Sequence, residues 1–233
     1  ALIAISAANE TGATNSASIL QRGRINLELG NVDQAIIDVN NFVEHEMQIP
    51  FEEGWNTINW MFGASIIAKT GNVKSFTNYC HKMFIKFSPA KDFITFERIA
   101  KGALMMDTNP SLVSKARGYA LEAIERTPKT HRFYNWNSFT AAWSEYRHGN
   151  ISEAEKWAKI SLDFTSDTHP YLPGMNNALL AMIYLKTGML DLSNKAMKTA
   201  KECLANLDGN DNSLWDTFII QLLIKEYESL ERN

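Results

Sequence analysis

The chain has 233 residues, 45% of them hydrophobic and 21% charged, with a formal net charge of −3. That is enough apolar material for one large domain or a short solenoid, with a charged fraction ordinary for a water-facing protein. Without a basic excess it is no general binder of nucleic acid or anionic membranes, and no apolar run approaches the roughly 20 residues that span a bilayer.

The opening ALIAISAA lacks the basic lead and cleavage pattern of a signal peptide. Residues 1–8 are expected to be the tail of an earlier helix in a domain excised from a longer protein. NETGATN (9–15) is a polar break. A helix-turn-helix unit is then expected over 16–49, with Gly23 in its first helix, a turn at Gly30-Asn31, and Ala35, Val39 and Phe42 as one apolar stripe of its second. The unit over 53–89 carries Trp60 and Ala64, turns at Gly71-Asn72, and continues with Phe76, Cys80 and Met83. Phe76 stands where a small residue is expected, so the second helix there sits further from its partner. The unit over 92–128 has Ala100 and Ala103, an expanded polar turn over Asp107–Ser111 with a cap at Ser111, and Ala116, Ala120 and Ala123. The unit over 132–166 turns at Gly149-Asn150 between Ala142 and Ala154, and that over 173–207 turns at Gly188 between Ala181 and Met197. DGNDN (208–212) is a break. Residues 213–231 form one long amphipathic helix with no partner downstream, the end cap that a solenoid needs to hide its last apolar face.

Two kinds of punctuation share one period. The turn glycines 30, 71, 149 and 188 are spaced 41, 78 and 39 residues, and 78 is twice 39, with Asn109-Pro110 at the missing turn. Pro50, Pro89, Pro128 and Pro170, each ending a helical pattern, are spaced 39, 39 and 42. A helix pair repeated about every 39 residues is a helical solenoid, so the expected fold is all-α with five helix pairs and a capping helix in one domain.

Small residues seven before and five after the turn glycines carry a family resemblance. Gly23, Gly30 and Ala35 with LELGNVDQAI, and Ala142, Gly149 and Ala154 with YRHGNISEAEKWA, resemble the tetratricopeptide repeat over nearly the whole chain. The family's repeat is about 34 residues, so the longer period here implies longer helices or loops. ERIAKGAL, SEYRHGN and the closing LWDTFIIQLLIKEYESL also look like the repeat tails behind the catalytic domain of some bacterial Ser/Thr protein kinases. The resemblance implies a right-handed α-solenoid whose first helices line a concave surface that holds peptides or proteins. A family variant clamps a C-terminal carboxylate there. Leu20 and Arg24 do not reproduce that clamp.

Catalytic motifs are missing: no glycine-rich phosphate loop, HExxH, CxxC pair or GxSxG elbow. The five histidines are scattered. Glu44-His45-Glu46 is a solvated helix end, since adjacent helical residues diverge, and Asp163, Asp167 and His169 read as turn chemistry. Cys80 and Cys203 lie three repeats apart and read as reduced core thiols. No enzyme activity, cofactor or metal is expected, and the expected compartment is cytoplasmic.

Trp136, Phe139, Trp143, Tyr146 and Arg147 share one side of their helix, joined by Met175, Met182 and Lys186 from the next repeat. They form either inter-repeat core or an exposed strip for a protein or peptide partner, because Trp, Tyr and Arg dominate recognition hot spots. The resulting expectation is a non-catalytic interaction module of a larger regulatory or signalling protein. The alternatives are a sensor of a small apolar or aromatic ligand, and a structural or homo-oligomeric scaffold.

Overall fold

The structure is a computed structural model that describes residues 15–51, 57–107, 109–163, 171–207 and 214–232. The expected helix tail over 1–8, the break at 9–14, the Asp167 and His169 part of the loop cluster, and the 208–212 break lie outside them. Among the described residues there are eleven helices and no strand: α1 (Ser16–Glu28), α2 (Val32–Gln48), α3 (Thr57–Thr70), α4 (Val73–Lys86), α5 (Phe93–Ala103), α6 (Pro110–Arg126), α7 (Tyr134–His148), α8 (Ile151–Asp163), α9 (Tyr171–Lys186), α10 (Leu190–Ala205) and α11 (Leu214–Leu230). Consecutive helices pair as α1/α2 through α9/α10, and the first helices also pack in a row, α1 on α3, α3 on α5, α5 on α7 and α7 on α9. The architecture is an α-solenoid.

The punctuation behaves as its chemistry requires. Gly30, Gly71, Gly149 and Gly188 have φ between 74° and 89°, the left-handed region where a Cβ is costly, and each ends the first helix of its pair. The third pair turns differently. Asn109, not Ser111, caps α6: its side chain accepts from the Leu112 N–H at 3.0 Å, and Pro110 sits in the first helical turn, where its missing N–H costs nothing.

The seams follow the small residues. Ala35, Ala64, Ala142, Ala154 and Ala181 are fully buried, and a Cβ on Gly23 would stand 3.3 Å from that of Asp38 on the facing helix. Ala154→Leu is therefore expected to cost about 1–3 kcal/mol by overpacking. Superposable urea melts of variant and parent would remove Ala154 from the seam. The second pair is the one with a bulky seam: α3 and α4 come together least closely of the five pairs, with Phe76 buried there. Tyr79 fills the gap by reaching past Gly63 to donate to the Trp60 carbonyl at 2.5 Å.

The residues weighed for metal and thiol chemistry have ordinary structural partners. Ser16 Oγ lies 3.1 Å from His45 Nδ1 and donates to Glu46, while Glu44 pairs with Lys82. Both cysteines are free, Cys80 buried and Cys203 half-buried.

The inner face and its resident helix

α3 and α9 have no dry side and wet side. Every residue from Trp60 to Ala68 is buried, and so are nine of the residues from Gly174 to Ile183. A first helix of an open superhelix would leave its inner side in water; a helix apolar all round must be covered all round. The cover is α11. It buries Phe218, Ile219, Ile220, Leu223, Ile224 and Tyr227, and lies against both α9 and α3, spanning the inner row from the fifth pair back to the second.

Each part of α11 has its own seat. Near its start, Trp215 and Phe218 meet the Phe62 ring of α3 at centroid distances of 6.3 and 6.4 Å. Lys69 lies 3.8 Å above the Phe218 ring and donates to Gln221 at 2.7 Å. Burial lowers the Lys69 pKa, the favourable Glu28 charge being the smaller effect. In the middle, Ile220 presses on Gly174 of α9, where a Cβ would come within 2.9 Å of its Cδ1. At the far end Arg147 of α7 clamps Glu226 with both guanidinium nitrogens, one at 2.6 Å, and Lys201 of α10 pairs with Glu228. The Arg147 side chain is only 2% exposed and the Glu226 side chain 26%, so the bidentate pair is buried on its arginine side. The helix expected to cap the fifth pair thus also crosses the concave side.

The eight residues singled out from the sequence divide accordingly. Phe139, Trp143, Met175 and Met182 are wholly buried and Tyr146 nearly so, with Phe139 and Trp143 rings 5.7 Å apart. In this conformation the spacing marks core, not an open strip. Burial raises the Tyr146 hydroxyl pKa, and Lys186, which is exposed, lies 4.2 Å above its ring. Arg147 is committed to Glu226. Trp136 is half-buried, with Lys101 4.8 Å above its ring.

Trp136 borders a cavity of about 170 Å³ framed by α3, α5, α7 and the start of α11. Its charged members, Glu97, Arg98, Lys101 and Asp216, escaped the sequence reading, and all four are at least nine-tenths buried. Lys101 and Thr140 both reach Glu97 Oε1 at 2.7 Å, and Arg98 donates to Thr57 at 3.1 Å. Burial lowers the Arg98 pKa, and it raises the Asp216 carboxyl to about 7 against the pull of Lys101 and Arg98, with Glu97 adding to the rise. Because the folded pKa of Asp216 lies above its unfolded value, its contribution is complete below about pH 4 and is lost as pH rises through about 7. Asp216→Asn is expected to stabilise the chain at pH 8 by roughly 2 kcal/mol, less than the full linkage because a buried site relaxes. Melts of both chains at pH 5 and pH 8 check it; an equal gap at the two pH values would contradict it.

No helix among the described residues is long and apolar enough to cross a membrane. No protein-family model and no curated protein matches the chain. Among solved structures it resembles a thermophilic TPR protein of Thermus thermophilus, with a TM-score of 0.51 and 15% identity over 94% of this chain and 100% of that one. The periodic turns, the small-residue seams and this likeness agree: the chain has the helical-repeat fold of tetratricopeptide proteins, an all-α solenoid of helix pairs.

Proposed function

We propose that the chain is a non-catalytic protein- or peptide-binding module of a larger regulatory or signalling protein, and that its inner face recognises an amphipathic helix. One observation supports this most: the inner face already grips such a helix, α11, by an aromatic corner, an ammonium over a ring and a bidentate arginine fork. Those are the residue types that dominate recognition surfaces. A rigid groove also lowers the ordering cost of binding. With α11 seated, Trp136 and Lys186 are the candidates whose side chains reach solvent appreciably; Arg147 is part-exposed, but its side chain is 2% exposed. Arg147 is held by Glu226, so a partner that engages it has to take the place of α11.

The test uses the full chain and a labelled synthetic peptide of residues 214–230. Glu226→Ala loosens the resident helix by removing its clamp, so the variant is expected to bind the added peptide about tenfold more tightly than the parent, the equivalent of one lost charged contact. Fluorescence anisotropy reads this directly. Failure of both chains to bind the peptide would sink the helix-groove reading.

A further inference from the structure

We propose that the cavity framed by α3, α5, α7 and α11 binds a small primary ammonium ion carried on an aromatic or branched apolar body, with the Asp216 carboxylate receiving the ammonium. The inference is independent of the helix-groove reading, because it needs α11 in place: Trp215 and Asp216 form one wall.

The walls are mostly apolar, with Ile58, Met61, Ile94, Phe133, Trp136 and Trp215 facing the space. A cavity of about 170 Å³ accommodates on the order of ten waters, the size of a molecule with roughly ten heavy atoms. Its charged groups are satisfied with one exception. Glu97 is taken by Lys101 and Thr140, Lys101 by Glu97 and the Trp136 ring, and Arg98 by Thr57. Asp216 is 5% exposed; its carboxyl accepts a hydrogen bond from the Trp215 side chain, but Oδ1 has no hydrogen-bond partner. Buried polar atoms are nearly always paired, so an orphan on a cavity wall calls for an external partner.

The orphan is an acceptor, so the ligand must donate. A neutral donor would add nothing to the pull of Lys101 and Arg98 on the carboxylate, which does not offset its burial, whereas an ammonium supplies a charge-assisted hydrogen bond. Trp215 lines the same cavity next to Asp216, so an aromatic wall is at hand for the ligand's apolar body. An anionic ligand would meet two buried carboxylates with both local cations already engaged. Burial raises the Asp216 pKa to about 7, and a bound ammonium would draw it back down towards the carboxylate form.

The test titrates the full chain with phenethylamine and with its neutral isostere 2-phenylethanol, followed by calorimetry. Phenethylamine is expected to bind saturably with 1:1 stoichiometry, about tenfold or more tighter than 2-phenylethanol. Asp216→Asn is expected to lose about that factor for the amine while leaving the weak binding of the alcohol in place. The gain in melting temperature expected of this variant would show that it is folded. Absence of amine binding to the parent at millimolar concentration would overturn the proposal, as would equal binding of the amine to parent and Asp216→Asn.

Discussion

Trp143→Ala is expected to lower folding stability by about 3–5 kcal/mol, read as a fall in the urea midpoint at unchanged slope. Trp143 is wholly buried in α7, with the Phe139 ring at 5.7 Å and the Arg147 guanidinium 5.8 Å from its own centroid. Truncation removes the transfer energy of the largest side chain and leaves a cavity that flanking helices cannot close. One effect opposes this. The indole N–H has no hydrogen-bond partner, so deleting it relieves a burial cost of about 1–3 kcal/mol. The cavity and transfer losses are larger, so destabilisation wins, towards the lower part of the range. A variant with parental stability would place Trp143 on an exposed strip instead of in the core.

Deleting residues 213–233 is expected to cost more than any point substitution. The deletion strips the cover from α3 and α9, whose buried runs include Phe62, Ile66, Met175 and Leu179. It also leaves the Arg147 guanidinium, 2% exposed in the intact chain, without the carboxylate that clamps it. Six buried apolar side chains of α11, each contributing about 1.5–3 kcal/mol, are together comparable to the whole stability of a typical domain. The expected outcome is soluble aggregate in size-exclusion chromatography, because a large open apolar face associates. A monodisperse truncation with the parent's melting temperature would show that α11 covers nothing essential.

The repeat architecture was legible because its causes are local. A glycine with positive φ, a proline behind a helix and an alanine at a tight seam each leave a residue at a fixed place, so period and pairing follow from spacing. The third turn was located but its cap misassigned: Asn109 and Ser111 are both good caps, and Pro110 placed at the helix start decides for Asn109. Trp136, Phe139, Trp143 and Tyr146 define a side of α7 whether or not anything covers it, so their spacing left core and strip open.

The destination of α11 was not legible from its own residues. An amphipathic helix caps the end of a solenoid or lies along its groove with the same apolar stripe. The signal lay elsewhere, in WMFGASIIA of α3 and ALLAMI of α9, which have no solvent side to offer. The charged cavity was hidden for a related reason. Glu97 and Lys101 stand four apart in ERIAK, the spacing of any surface helix ion pair, and only the neighbouring helices bury them.

The central claim is that the inner face holds α11 as a resident helix, and hydrogen–deuterium exchange of the full chain tests it most directly. The amides of residues 218–227 are expected to exchange as slowly as those of residues 175–183 in α9, on which they pack. Glu226→Ala is expected to quicken exchange in α11 and in residues 60–68 of α3 together, since removing the clamp uncovers both. Exchange of residues 218–227 at the rate of an unstructured peptide, with α3 and α9 still protected, would contradict the account.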